Sequence, residues 1–237
     1  MYATLIYNPL LNLLVFFYNT LAFHDLGVAI ILLTILIRLF LFPLFKKNAE
    51  YQRAMQVIQP KLKKVQEIHK NDKSRQTQEM MNLYKEHSLN PFSGFLYLLI
   101  QIPILFGLYG IFLNVFKPDF LGGLYSFIPR PETLNTSLLG LINLGQGSIL
   151  LVVLAAIAQF FQARLMLPKT GDNKNPASRM ARQMMFIGPV LTLVIFYRLP
   201  AAIALYWLVA SIFSIVQEII LNKTRNGQLE PISPKNT

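Results

Sequence analysis

The stretch ILLTILIRLFLFPLFKK, residues 31–47, places a single arginine inside a long apolar run that ends at two lysines. Thr34 and Arg38 alone interrupt the run before those lysines. The nearest acidic residues in the sequence, Asp25 and Glu50, are more than three helical turns away from the arginine. An arginine near the centre of a bilayer costs about 2.5–3.5 kcal/mol on insertion scales. Its presence in this stretch therefore requires an explanation.

The composition of the whole chain indicates a membrane protein. Of its 237 residues, 54% are hydrophobic and 14% are charged, and the mean hydropathy is +0.44. Soluble domains carry about 25% charged residues. Cysteine is absent, which excludes disulfides and cysteine-ligated metals. The three histidines are scattered and there is no GxxxxGK[ST] phosphate loop, so we expect no metal, no cofactor, no nucleotide site and no enzyme activity.

The apolar runs predict five membrane-spanning helices, since about 20 apolar residues cross a bilayer. The first span lies at 26–45, the second at about 92–116 and the third within 147–167. The fourth and fifth spans share the apolar block 183–221. The sequence YRLP at 197–200 separates them, because proline cannot continue a helix ladder and disfavours helix in the residue before it.

The lysines and arginines are distributed as the positive-inside rule requires. Of the 22 basic residues, ten lie in segment 46–90, five lie in segment 164–182 and three follow residue 222. Two predicted spans separate each of these segments from the next, so all three fall on the same side of the membrane. That side is the cytoplasm. We therefore expect the N-terminus outside the cytoplasm and the C-terminus inside.

Residues 1–23 are apolar and contain no basic residue. Asn8, Asn12 and Asn19 fall within a narrow arc at 100° per residue, which predicts an amphipathic helix lying in the membrane interface. The alternative is a sixth span. A sixth span would start the chain in the cytoplasm with no positive charge to hold it there.

The segment 46–90 is the largest element predicted to lie outside the membrane. Apolar residues recur every three or four positions over 55–65, which predicts one amphipathic helix. The sequence NDKS at 71–74 interrupts this pattern, and Asp72 or Ser74 can cap a second helix. We expect a cytoplasmic helical hairpin with a net charge of +5, from ten basic and five acidic residues. It would either lie solvated near anionic lipid or dock a partner such as ribosomal RNA or a nascent chain.

The predicted fold class is an all-α polytopic membrane protein with five transmembrane helices, an N-terminal interfacial helix and a cytoplasmic hairpin. Its predicted parts are the interfacial helix 1–23, the first transmembrane helix within 24–45, the hairpin 46–90, transmembrane helices two to five within 91–222, and a short cytoplasmic tail 223–237.

Polar residues lie at similar predicted depths on four spans. Arg38, eight residues before Lys46, is roughly 12 Å from the cytoplasmic end of its helix. The residues at comparable depths on other spans are Gln101, Gln159 and Ser211. The polar face of the fifth span comprises Trp207, Ser211, Ser214 and Glu218. Together these residues predict a hydrated groove that is open to the cytoplasm. Polar residues can instead bond helices to one another, and Arg38 can extend toward the lipid headgroups.

Four segments carry a family resemblance. They are LTILIRLFLFPL (33–44), MQVIQPKLKKVQE (55–67), QEMMNLYKEHSLNPFSGFLYLLIQIPILFGLY (78–109) and LPAAIALYWLVAS (199–211). Together they resemble the core of the YidC/Oxa family of membrane protein insertases, over nearly the whole chain. The resemblance implies five core spans, an amphipathic helix before the first, a cytoplasmic hairpin between the first two, and a short bacterial form lacking the large periplasmic domain of some relatives.

The resemblance also implies a function, which is to move nascent membrane proteins from the cytoplasm into the bilayer without nucleotide hydrolysis. The family's functional arginine corresponds to Arg38. The predicted groove residues are Arg38, Thr34, Gln101, Gln159, Gln162, Tyr206, Trp207 and Ser211. The expected partners are nascent membrane proteins, the lipid bilayer, a Sec-type translocon, and the ribosome through the hairpin and the short tail. We expect a monomer in the bacterial inner membrane.

Two other functions stay open at this point. A solute transporter or channel predicts internal repeats, or broken helices in paired positions, and neither is visible in the sequence. A scaffold subunit without activity of its own predicts that substitutions in the groove are silent, whereas substitutions in the packing between helices are not.

Overall fold

The computed structural model describes residues 3–90, 92–117, 120–166 and 176–228. These residues are mostly helical, in agreement with the predicted all-α class. The helices are α1 (Asn8–Thr20), α2 (Leu26–Phe40), α3 (Phe42–Ile68), α4 (Lys73–Glu86), α5 (Ser93–Asn114), α6 (Ile149–Met166), α7 (Pro176–Phe196) and α8 (Ala201–Gln228). A π-helical turn (Ala3–Tyr7), a 3₁₀ turn (Phe120–Gly123) and a two-stranded antiparallel hairpin of β1 (Ser137–Leu138) and β2 (Ile142–Asn143) complete the described elements.

Two described helices are long and apolar enough to cross a membrane, Ile149–Met166 and Ala201–Lys223. A third span is added if Leu26–Phe40 and Phe42–Met55 are counted together. The shorter apolar helices are Gln101–Asn114 and Met185–Phe196. The described part of the chain therefore has the character of an all-α membrane protein with two or three candidate spans, and the count of five stays a prediction.

The helix predicted over 26–45 is interrupted at Leu41. Leu41 has ψ near 3°, and α3 begins at Phe42 with Pro43 in its first turn. Proline has no amide hydrogen and disfavours helical geometry in the residue before it, so it is accommodated at the start of a new helix. As a result α2 ends at Phe40, five residues before the predicted end of the first span.

The chain divides into two compact units, and the smaller comprises residues Phe40–Phe106. In this unit α3 and α4 contact each other and are joined by the short turn around 69–72. Asp72 is the cap of α4, because its carboxylate accepts a hydrogen bond from the Arg75 amide at 3.0 Å. Gln76 also donates to the Gln66 carbonyl at 2.9 Å, which joins the two helices beside the turn. The cytoplasmic location of this pair of helices stays a prediction.

The larger unit comprises Met1–Leu39 and Gly107–Thr237 and includes α6. Helix α6 packs against both α7 and α8. The buried faces of α6 and α8 are rich in small residues, which allow close approach of helices in a membrane. These small residues are Ala155, Ala156, Ala158, Ala201, Ala202, Ala204 and Ala210. Larger apolar residues on the opposite faces, such as Phe161 and Val216, are about half exposed and available to lipid.

The asparagine stripe of α1 is bonded to the connection between α5 and α6. Asn12 is buried, donates to the Gly123 carbonyl at 3.0 Å and accepts from the Tyr125 amide at 2.7 Å. Asn19 donates to the Pro129 carbonyl at 2.8 Å. The stripe therefore satisfies backbone groups of the protein itself, which periodicity alone did not predict. The interfacial position of residues 1–23 stays a prediction.

Asp25 joins the start of α2 to the β-hairpin. One carboxylate oxygen accepts from the Val28 amide at 2.9 Å, and the other accepts from the Leu139 amide at 2.7 Å. Gly27 allows the hairpin to approach, because a Cβ at this position would lie 2.5 Å from Leu138 Cδ1 and 2.9 Å from its Cα. Residues 25–28 are therefore a docking site for the hairpin as well as a helix start.

Candidate functional site

Arg38 lies in the last turn of α2 and its side chain is directed at α8. Its Nη1 donates to Ser214 Oγ at 3.1 Å, and that hydroxyl in turn donates to the Ala210 carbonyl at 3.0 Å. The Tyr206 side chain lies near the guanidinium. The arginine is half-buried and is held by the protein, rather than by the lipid surface alone.

The polar face predicted for the fifth span lies on α8 and is turned toward the protein interior. Ser211, Ser214 and Glu218 are 3%, 9% and 6% exposed, and Trp207 is partly exposed. Ile212, on the opposite face, is 48% exposed. The rotation of α8 therefore directs its polar groups to the same side as Arg38 and leaves its aliphatic groups for the lipid.

A second polar cluster is centred on Gln159 of α6. The carboxamide oxygen faces α8 and the nitrogen faces α7, because in this orientation the oxygen is next to a hydrogen-bond donor and the nitrogen is next to acceptors. In that orientation the oxygen accepts from Trp207 Nε1 at 3.2 Å, and the nitrogen donates to the Gly188 carbonyl at 3.1 Å and to Thr192 Oγ1 at 2.7 Å. Gln159 thereby links three helices, α6, α7 and α8.

Aromatic rings surround the Trp207 indole. The Phe196 ring lies edge-on at a centroid distance of 5.3 Å, and the Tyr206 ring lies at 6.3 Å. Tyr206 is itself 5% exposed and packs against Phe112 at 6.0 Å. Tyr206 therefore supports Trp207 and neighbours Arg38, but it offers little surface of its own.

The other predicted groove residues have different environments. Thr34 is 1% exposed, and its hydroxyl donates to the Ile30 carbonyl of its own helix at 2.6 Å. Gln162 is partly exposed on α6, one turn after Gln159. Gln101 is partly exposed on α5, in the part of that helix that belongs to the smaller unit.

The structure thus joins Arg38 to Ser214, and Gln159 to Trp207. Seven residues separate Trp207 from Ser214 on α8, which is about 10 Å along the helix axis. Thr192 and Gly188 of α7 were not predicted, because a single threonine and a single glycine in an apolar block are weak signals. Ser214 had a signal in the polar face of α8 but was not placed in the groove. Among the described residues, no group of three or more histidine, aspartate or glutamate side chains is arranged to hold a metal ion.

Comparison with known proteins identifies the family. Residues 16–228 match the family model of the 60 Kd inner membrane protein. The chain belongs to this family. Membership in the 60 Kd inner membrane protein family confirms the resemblance to YidC/Oxa insertases that the sequence motifs indicate. Together with the apolar helices, it makes this a protein of the bacterial inner membrane.

Individual relatives agree with this assignment. The membrane protein insertase YidC of Fusobacterium nucleatum is 33% identical over 220 residues, which cover 92% of this chain and 97% of that protein. The YidC of Syntrophobacter fumaroxidans is 35% identical over 224 residues, covering 93% of this chain and 38% of that protein. The YidC of Streptomyces avermitilis is 30% identical over 214 residues, covering 81% of this chain and 50% of that protein. The chain therefore spans nearly all of the first relative and half or less of the other two.

Proposed function

We propose that the protein is a membrane protein insertase that moves nascent membrane proteins from the cytoplasm into the bilayer without nucleotide hydrolysis. Family membership and the relatives named membrane protein insertase support this function. The observation that carries the mechanism is the hydrogen bond from Arg38 to Ser214, because it holds a positive charge against the polar face of a helix suited to cross the membrane.

The mechanism is physical and not covalent. A client segment with a polar or acidic flank enters a hydrated groove from the cytoplasm, and Arg38 attracts the flank in a setting of low dielectric constant, where charge interactions are stronger than in water. The apolar part of the client meets lipid beside the groove. Burial of about 20 apolar residues in the bilayer then provides the driving force. The groove residues are Arg38, Thr34, Gln101, Gln159, Gln162, Tyr206, Trp207 and Ser211.

The proposed topology has five spans, with the N-terminus outside and the C-terminus in the cytoplasm. The distribution of the 22 basic residues supports it. The pair of helices within 46–90 would then stand in the cytoplasm with a charge of +5, from ten basic and five acidic residues. That charge suits the reception of ribosomes or nascent chains, so we propose the ribosome and a Sec-type translocon as partners of a monomer.

The test of this function compares Arg38→Ala, Arg38→Lys and the parent in reconstituted liposomes. One client is used in three forms, with its translocated tail acidic, neutral or basic. Arg38→Ala should reduce insertion of the acidic form at least about tenfold, which corresponds to roughly 1.4 kcal/mol, and should affect the basic form least. Arg38→Lys should retain most activity, because it keeps the charge.

The matched control is Arg164→Ala, which removes the same charge from an exposed position in the last turn of α6. Thermal unfolding in detergent is recorded for each variant. If Arg38→Ala inserts all three forms as well as the parent does, or loses activity only because it unfolds, Arg38 has a structural role and the proposed mechanism is wrong.

A further inference from the structure

The Gln159 carboxamide is fully engaged by groups of the protein itself. A primary amide has two hydrogens to donate and an oxygen to accept with. The Gly188 carbonyl and Thr192 Oγ1 take the two hydrogens, at 3.1 and 2.7 Å, and the oxygen accepts from Trp207 Nε1 at 3.2 Å. Neither hydrogen is left to donate to a client. This side chain is therefore poorly suited to the client contact that its position in the sequence suggested.

The two residues of α7 that bond to Gln159 both lie on the side of α7 that faces it. Thr192 follows Gly188 by four residues, so the two groups lie on the same face of the helix. Thr192 is 4% exposed. A Cβ at Gly188 would lie 3.3–3.4 Å from the Gln159 side chain, which is closer than nine in ten real Cβ contacts. The glycine therefore leaves the room that lets the carboxamide reach its backbone carbonyl.

The Trp207 indole is the exposed end of this network. A buried or half-buried indole N–H usually finds an acceptor, and here the acceptor is Gln159. The hydrogen bond holds the N–H edge of the indole, and the Phe196 ring packs edge-on against the indole at a centroid distance of 5.3 Å. Trp207 lies on the same polar face of α8 as Ser214, the partner of Arg38, about two helical turns before it.

We propose that Gln159, Gly188 and Thr192 form a positioning site for the Trp207 indole, and that the indole is the group that meets the apolar part of a client. Gln159 acts through Trp207, whereas Gln162 is the glutamine of α6 that can face the client. The indole role rests on the proposed insertase function. The positioning role does not, because it is a property of the folded protein alone.

The chain contains one tryptophan, so its fluorescence reports on Trp207 directly. Emission spectrum, anisotropy and quenching by brominated lipid are measured in liposomes for the parent and the variants. Gln159→Leu keeps the approximate volume and removes all three hydrogen bonds. It should shift the emission maximum, lower the anisotropy and change the quenching by brominated lipid.

Variants of α7 keep the test decisive if Gln159→Leu does not fold. Thr192→Val keeps the shape and removes the hydroxyl, and should change the spectrum in the same direction by a smaller amount. Thr192→Ser keeps the hydroxyl and should resemble the parent. Gln183→Leu makes the same chemical change at an exposed glutamine of α7 and is the control, expected to leave the spectrum unchanged.

Insertion is measured with the same three client forms. Gln159→Leu should lower insertion of all three client forms about fivefold, irrespective of tail charge. A change of this size is expected when the hydrogen bonds that position the indole are lost. This uniform loss differs from the charge-dependent loss expected of Arg38→Ala. A parent-like spectrum in Gln159→Leu, or in Thr192→Val when Gln159→Leu does not fold, would overturn the positioning site. A changed spectrum with parent-like insertion would overturn the role of the indole, and failure of the parent to insert any client would refute the proposed function alone.

Discussion

Ser214 is the residue that directs Arg38 toward α8. A hydrogen bond from a guanidinium to a neutral hydroxyl is stronger than one between two neutral groups, and its net contribution is about 1.5–3 kcal/mol. The bond also selects one arrangement of a long and flexible side chain. The position of the charge in the membrane therefore depends on a serine that lies 176 residues away in the sequence.

We predict that Arg38 and Ser214 are energetically coupled. Ser214→Ala should lower the melting temperature in detergent in the parent, and should lower it by less in the Arg38→Ala background, because the bond is already absent there. Ser214→Thr keeps a hydroxyl and serves as the conservative comparison. Melting temperatures that add within error would mean that the bond contributes nothing to stability.

Helix α2 is the element whose start depends on a glycine. Asp25 accepts hydrogen bonds from α2 and from the β-hairpin, and Gly27 lets Leu138 approach within the distance that these bonds require. The connection between α5 and α6 therefore packs on the start of α2 and on α1. Asn12 and Asn19 of α1 donate hydrogen bonds to backbone carbonyls of this connection. Such packing makes the connection part of the fold, rather than a free loop.

We predict that Gly27→Ala destabilises the protein by about 1–3 kcal/mol, since the new methyl group would collide with both the side chain and the backbone of Leu138. The matched control is Gly122→Ala, because a Cβ at Gly122 meets nothing within 4 Å. That variant should stay within about 0.5 kcal/mol of the parent. Chemical denaturation in detergent measures both, and equal stability of the two variants would contradict the packing of the hairpin on α2.

At the scale of the whole molecule, the basic residues are unevenly distributed along the sequence, and the formal net charge is +11. The basic residues are concentrated in three segments, and this distribution is the reason for the proposed orientation. Absence of cysteine makes the orientation easy to measure, because every introduced thiol is then the single one in the chain.

We predict that Gly122→Cys and Arg198→Cys react with a membrane-impermeant maleimide in intact cells, and that Asn71→Cys reacts only after the membrane is permeabilised. All three positions are exposed, so burial does not limit the reaction. Permeabilised cells provide the control that each thiol is reactive. Labelling of Asn71→Cys in intact cells would refute the five-span topology.

The sequence also indicated the main residues of the candidate site, but not their roles. Arg38, Gln159 and Trp207 were predicted because charged, amide and indole groups are conspicuous in apolar runs. Thr192 and Gly188 were not, because their importance depends on what faces them. A threonine in a helix can satisfy its hydroxyl on its own backbone, as Thr34 does, and periodicity does not distinguish that case from a bond between helices.

What the sequence determined by itself is local or additive. The apolar runs determined the helical membrane class, Pro200 determined where α8 begins, and the basic residues support an orientation. Only the tertiary structure decided which partner each polar side chain takes. Arg38 bonds to Ser214, and Gln159 bonds to Trp207 and Thr192, because the rotation and packing of distant helices bring those atoms together. A helical pattern specifies which residues share a face, but the neighbour of that face is determined only when the helices pack.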